Sequence, residues 1–311
     1  MTQQIHRVNT LAELSDRRPT YLALGSFDGV HRGHQAVLRQ MVAEAQGDGV
    51  RSAVLTFFPH PKRVLSGDHS RFYINTIDDR VELLLASGAD MVIVHVFDNN
   101  VRMTRAADFV DQLVTNLDMR QIWGGNFAFG YRREGNIDFL RHEGAARGFE
   151  VRTVEAMATF EGALISSSRV RRGLDAGDFQ DVNGCLGRRH ALSGEVLRAD
   201  QRGRTIGFPT ANLGVWEELL LPTDGVYAAY GLLHGRRYAA AVNIGVRPTV
   251  NGRDRTVEAF LLDYDGEEFY GQTLRLEFEA RIRPEQRFSG LDALRAQIAR
   301  DVEQVRQTLP L

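Results

Sequence analysis

Tyr21-Leu22-Ala23-Leu24-Gly25-Ser26-Phe27-Asp28-Gly29-Val30-His31-Arg32-Gly33-His34 is the stretch that decides the fold of the first half of this chain. A short apolar run passes through a glycine-rich turn into a helical pattern, the order strand, turn, helix. Amides at a helix N-terminus and the positive end of its dipole make such a turn a seat for phosphate. Residues three apart share a helix face, so His31 and His34 can address one anion. Gly25 and Gly29 let the backbone come close to it. The pair could also ligate a metal with His60 as a third donor, but no cysteine or carboxylate completes a set nearby.

Outward from this turn, short apolar runs at 21–24, 53–57, 91–97, 121–123 and 150–154 alternate with helical patterns at 35–46, 78–86, 106–117 and 137–147. Strand and helix in alternation predict a parallel sheet covered on both faces, with ligands at the carboxyl ends of the strands. After about residue 185 the pattern changes to closely spaced strands at 226–233, 238–244, 256–264 and 273–282, with His234-Gly235 and Asp265-Gly266 as hairpin turns. This predicts a small antiparallel barrel. Leu291, Leu294, Ile298, Val302 and Val305 give a closing helix one apolar face.

The 311 residues suffice for two domains, and a net charge of -2 gives no reason to expect nucleic acid as a partner. No apolar stretch approaches the roughly 20 residues of a membrane span, and the N-terminus lacks a signal-peptide core. A single cysteine, Cys185, rules out an internal disulfide. The expectation is a cytoplasmic protein without a membrane partner. Only one residue, Lys62, is lysine, so 37 of the 38 basic residues are arginine. No Gly-x-x-x-x-Gly-Lys phosphate loop exists here; phosphoryl chemistry falls to arginine, histidine, backbone amides and a metal.

Four segments can converge on one cleft in the first half: the 25–34 turn; Thr56-Phe57-Phe58-Pro59-His60-Pro61; Gly124-Gly125-Asn126-Phe127-Ala128-Phe129-Gly130; and Ile165-Ser166-Ser167-Ser168-Arg169-Val170-Arg171. Singly, the serines are a helix cap and the aromatic loop a packed turn. Together they fit a nucleotide, whose phosphates His31 and His34 would stabilise during in-line attack at the α-phosphorus: adenylyl transfer. In the second half, Gly203-Arg204-Thr205-Ile206-Gly207-Phe208-Pro209-Thr210-Ala211-Asn212 is a second loop of phosphate type. Thr210 and Asn212 offer small oxygen ligands suited to Mg2+ with ATP phosphates, although a simple turn with an Asx-type hydrogen bond uses the same residues. Alternation puts Glu258 on one strand face with Thr256 and Phe260. It is either a solvated outward residue or a site residue facing the barrel mouth, where it can take a proton from an attacking hydroxyl.

In this order, Gly-x-Phe-Asp-Gly-x-His-x-Gly-His, Ile-Ser-Ser-x-x-x-Arg and Gly-Phe-Pro-Thr-Ala-Asn resemble the prokaryotic bifunctional riboflavin kinase/FMN adenylyltransferase family, also called FAD synthetase, from about residue 21 to about 301. The resemblance implies a Rossmann-like nucleotidyltransferase domain, 1–184, followed by an antiparallel six-stranded riboflavin-kinase barrel with a closing helix, 185–311. It implies that riboflavin is phosphorylated by ATP to FMN, and FMN adenylylated by ATP to FAD and pyrophosphate, without a bound prosthetic group, in a monomer or weak homo-oligomer. Gly25, Phe27, Asp28, Gly29, His31, His34, Ser167, Ser168 and Arg171 would contact ATP of the adenylyl step, and Phe58, Pro59, Asn126 and Phe129 the flavin. Gly203, Gly207, Pro209, Thr210 and Asn212 would hold ATP and magnesium for the kinase step, with Glu258 activating the ribityl hydroxyl. The sequence departs from the family pattern at Phe58 and Leu164, where an acid and a base are common, and at Asn126, where aspartate often stands. Two other readings use the same residues: a single-activity adenylyltransferase with a non-catalytic barrel, and a non-enzymatic flavin-binding protein.

Overall fold

Alternate residues of the second strand go to opposite faces, and each face finds a helix layer. In the computed structural model, which describes residues 3–14, 16–125, 127–153, 158–198, 207–249 and 252–310, the first half contains six parallel strands. They are β1 (Gln4–Val8), β2 (Thr20–Leu24), β3 (Arg51–Phe58), β4 (Met91–Val96), β5 (Met119–Gly124) and β6 (Glu150–Thr153), in the order β1-β4-β3-β2-β5-β6. On one face Tyr21, Ala23 and Val54 pack against Leu38 and Met41 of α1 (Arg32–Asp48) and Val81 and Leu84 of α3 (Ile77–Leu85). On the other, Leu22, Leu55 and Ile122 meet Phe109 and Leu113 of α5 (Ala106–Leu117) and Leu140 of α6 (Ile137–Arg147). Strand order reverses at β2, which lies between β3 and β5; in a parallel sheet the crevice at such a reversal receives the ligand.

The five apolar runs read from the sequence are β2 to β6. The sixth strand, β1, was not expected: it is an edge strand, half polar, and only its pairing with β4 identifies it. Two short helices, α2 (Pro61–Ser66) and α4 (Asn99–Met103), and a two-stranded ribbon of β7 (Thr159–Phe160) and β8 (Ala163–Leu164) complete this half.

Two further helices, α7 (Ser167–Ala176) and α8 (Phe179–Leu186), lead to a closed antiparallel barrel of six strands. These are β9 (His190–Leu197), β10 (Ala211–Gly214), β11 (Gly225–Leu233), β12 (Arg236–Thr249), β13 (Gly252–Leu261) and β14 (Thr273–Pro284), ordered β10-β13-β12-β11-β14-β9. Four match the expected strands; β9 and the four-residue β10 were unexpected, the latter hidden in a glycine- and proline-rich stretch. Leu213, Val242, Val257 and Ala259 point inward, each less than 9% exposed. The closing helix, α9 (Leu291–Thr308), lies on the outer face, where Val305 and Val302 meet Ala228, Tyr230 and Leu262. Leu291 is not part of that stripe: it is 69% exposed at the helix start.

By compactness the chain divides into Met1–Ser70 with Thr76–Ile165, and Arg71–Asn75 with Ser166–Leu311. The five-residue segment 71–75 is pinned within the second unit: the amides of Phe72 and Tyr73 donate to Glu218 O, Leu220 N donates to Tyr73 O, and the buried Tyr73 ring lies 4.7 Å from that of Trp216.

Candidate functional site

The turn after β2 keeps an unusual backbone. Phe27, Gly29 and Val30 have φ of 47°, 83° and 40°, and for β-branched Val30 this is a costly conformation that the surroundings must impose. Gly25 N donates to Leu55 O at 3.1 Å, and Val30 N donates to Phe27 O at 3.0 Å, which closes the turn. His31 is the N-cap of α1, its Nδ1 accepting from His34 N at 3.3 Å. The two imidazoles stack with centroids 3.6 Å apart, and Phe27 meets His34 edge-on at 5.2 Å. His34 Nδ1 is enclosed and makes no hydrogen bond among the described residues. Burial, then the neighbouring charges of His31 and Arg80, hold the His34 pKa well below the ordinary histidine range. It is neutral near pH 7, with one enclosed ring nitrogen, at the positive end of a helix.

Across the switch point, Gly124 ends β5, and a Cβ there would lie 2.7 Å from the Phe127 ring and 3.4 Å from Leu24 O. That close approach brings the Gly124-Gly125 turn beside the end of β2. Phe58 ends β3 and Pro59 follows it, and His60 caps α2 by accepting from Lys62 N at 3.1 Å. Phe129 packs into the helix layer instead, 5.7 Å from Phe109 and 6.2 Å from Phe139. Asn126 and Gly203 lie outside the described residues.

In the second unit Ser166 caps α7 through its Oγ, which accepts from Arg169 N at 3.2 Å. Ser167 is half-buried and Ser168 exposed in the first turn of that helix. The Arg169 guanidinium pairs with Asp181, while Arg171 donates to Phe72 O at 3.0 Å and stacks 4.0 Å above the Phe72 ring.

On the barrel, chemistry is set by register. Asn212 of β10 lies opposite Glu258 of β13, and Glu258 lies opposite Asn243 of β12. Their neighbours Leu213, Val257, Ala259 and Val242 fill the interior, so the three polar residues form a row across the outer face, each half-buried. Phe208 packs edge-on at 5.5 Å against Phe260, which shares that face, and so anchors the loop beside Glu258. Gly207, with φ of 87°, is exposed and turns the chain into it. Pro209 and Thr210 border a cleft at the barrel mouth whose walls include Leu261, Tyr264, Phe269 and Tyr270, with Glu267 and Glu268 at its edge.

Among the described residues no group of three or more His, Cys, Asp or Glu could hold a metal ion, which removes the reading of His31, His34 and His60 as a metal set. The hydroxyl of Thr210 and the amide oxygen of Asn212 are instead hard oxygen donors of the kind magnesium takes alongside phosphates.

Two residues outside the sequence-predicted set belong to these sites. Asn243 becomes visible only once β12 and β13 are aligned. Arg80 is fully buried beneath the glycine turn, ion-paired with Asp28 at 3.1 Å. Its signal was present: Ile77, Arg80, Val81 and Leu84 fall on one face of α3, so the arginine sits in an apolar stripe.

Family models agree with this layout. An FAD synthetase model matches residues 13–169 and a riboflavin kinase model residues 186–309. The bifunctional riboflavin kinase/FMN adenylyltransferase of Listeria monocytogenes is 34% identical over 98% of this chain and 97% of its own length. That of Escherichia coli K12 is 36% identical over 90% of each. A crystal structure from Streptococcus pneumoniae, described as a macrolide-efflux protein, superposes with a TM-score of 0.87 at 25% identity, covering 97% of this chain and 98% of its own. Among the described residues no helix is long and apolar enough to cross a membrane. The chain belongs to the bifunctional riboflavin kinase/FMN adenylyltransferase family.

Proposed function

We propose that this protein makes FAD from riboflavin in two ATP-dependent steps, with the kinase in residues 185–311 and the adenylyltransferase in residues 1–184. The observation that carries the reading is the presence of two separate phosphate-type sites on one chain, the strained 25–34 turn and the Asn212–Glu258 row.

In the kinase step Glu258 takes the proton from the ribityl hydroxyl of riboflavin as that oxygen attacks the γ-phosphorus of ATP, and ADP leaves. The nucleotide base fits the aromatic-walled mouth cleft beside Thr210, with its phosphates crossing to the outer face at Asn212. Thr210 Oγ1 and Asn212 Oδ1 would hold magnesium, which when bound neutralises phosphate charge. In the adenylyl step an oxygen of the FMN phosphate attacks the α-phosphorus of a second ATP, and pyrophosphate leaves. His31, His34 and the first turn of α1 stabilise the charge that builds there. Ser167, Ser168 and Arg171 are the further residues that the family resemblance assigns to the ATP of this step. Phe58, Pro59 and Asn126 border the flavin.

The test is purified protein with magnesium, ATP and riboflavin, the flavins resolved by chromatography. The expected products are FMN and then FAD. FMN alone would leave a riboflavin kinase with a silent sheet domain; FAD only from added FMN would leave the adenylyltransferase with a non-catalytic barrel. Neither product would leave a flavin-binding protein.

A further inference from the structure

Arg80 has no exposed surface, and the reaction as described does not use it. Its Nη1 donates to Ser26 O at 3.0 Å and its Nη2 to Asp28 Oδ1 at 3.1 Å, Asp28 being 2% exposed. A buried ion pair is poor evidence of a stabilising role, because removing both charges from water offsets most of their attraction. The pair is better explained by what it holds. Both acceptors belong to the glycine turn, and between and just beyond them stand Phe27 and Val30, whose positive φ the surroundings have to impose. Thr56 Oγ1 donates to the same Ser26 carbonyl at 3.0 Å, so a helix and a strand together fix one peptide group. The turn leads directly into His31, the cap of α1.

We propose that Arg80 is a positioning residue for adenylyl transfer: by bridging the Ser26 carbonyl and the Asp28 carboxylate, it holds the 25–30 turn so that His31, His34 and the start of α1 receive the nucleotide phosphates. The inference rests on the adenylyl reading given above. It depends on the planar fork of the guanidinium, since two acceptors on different residues are met at once; a lysine ammonium in the same place carries the charge without that geometry.

The experiment follows FMN adenylylation and riboflavin phosphorylation by wild type, Arg80→Lys and Arg80→Met, together with backbone hydrogen exchange of each protein. The expected result for Arg80→Lys is a fall of about 100-fold in kcat/KM for adenylylation, the size of effect that a displaced reacting geometry produces. The KM for ATP should rise and that for FMN should hold. Riboflavin phosphorylation should be unchanged, and exchange should quicken in 25–34 while β3 and β4 keep their protection. Wild-type adenylylation in Arg80→Lys overturns the proposal, and so does loss of protection throughout the sheet, which would make Arg80 a stability residue only. A wild-type protein that makes no FAD from FMN overturns the adenylyl reading itself, and with it this inference.

Discussion

The glycine turn and the barrel row are built on opposite plans. In the turn, reactive groups stand where strands end, on a backbone bent through three positive φ angles and held from beneath by side chains of α3 and β3. In the row, reactive groups stand on the pleat of three ordinary strands, and their spacing follows from antiparallel register alone. A strand face needs nothing but pairing to place Glu258 between two asparagines. A turn is placed only by its tertiary partners. The kinase site should therefore depend steeply on the reacting residue and weakly on its neighbours, and the adenylyl site should depend on both.

The largest effect expected is at Glu258. Glu258→Ala should lower the rate of riboflavin phosphorylation by about 100- to 10,000-fold, the usual range for a general base, and leave FAD formation from added FMN intact. Initial rates of the two half-reactions check it, and equal losses in both would break the separation of the two regions. Next is the histidine pair. Replacing His31 and His34 with alanine should slow adenylylation by about 100- to 1,000-fold, as for loss of donors at a developing charge, with FMN accumulating from riboflavin. His31→Ala should cost more than His34→Ala, because it also removes the cap of α1, worth about 1 kcal/mol.

A smaller effect sharpens the contrast. Phe208→Ala removes the ring that docks the loop on Phe260 but leaves Thr210, Asn212 and Glu258 in place. It should raise the KM for ATP in the kinase step by about fivefold, from the loss of roughly 1 kcal/mol of aromatic contact, with little change in kcat. A collapse of kcat would mean that the row is not fixed by register.

The same contrast decides what could be read in advance. The turn was legible because its residue types are tied to local conformation: glycine at a positive φ, and histidines three apart at a helix start. Its support was not read. Arg80 stands 52 residues from Asp28 and shows itself only as a charge inside the apolar stripe of α3. On the barrel the reverse holds. The face of Glu258 followed from simple alternation, but its partners did not, because nothing local in residues 211–214 or 243 says which strand will lie beside which. Strand β1 escaped notice for a related reason: Gln4-Ile5-His6-Arg7-Val8 has too few apolar residues to mark a strand until β4 offers an edge. Phe129 shows the same limit in a loop: its ring meets Phe109 and Phe139 of the helix layer, contacts that the glycine-rich stretch around it does not announce.

The smallest effect concerns two histidines, each with an enclosed ring nitrogen, one in each region. His34 lies at the glycine turn beside His31 and Arg80, where an incoming phosphate can offset its protonation. His190 opens β9 beside the stacked rings of Phe179 and Phe278, 6.2 Å from each, with Nε2 enclosed and making no hydrogen bond among the described residues. Burial first, then the charges of Arg188 and Arg275, push its pKa down to about 3. The unfolded chain takes up a proton at an ordinary histidine below about pH 6.5, and the folded barrel does not do so until near pH 3. Stability from this residue is therefore complete above about pH 6.5 and is lost as pH falls toward 3, at up to about 1.4 kcal/mol per pH unit. His190→Leu should flatten that slope without touching riboflavin phosphorylation at neutral pH, as denaturant midpoints measured across the acid range would show. ATP should blunt the acid sensitivity that His34 contributes and leave that of His190 unchanged, because only the histidine on the turn faces a ligand. If ATP protects both equally, the barrel histidine is coupled to a nucleotide site after all, and the division between a site made by a turn and a site made by a pleat fails at that residue.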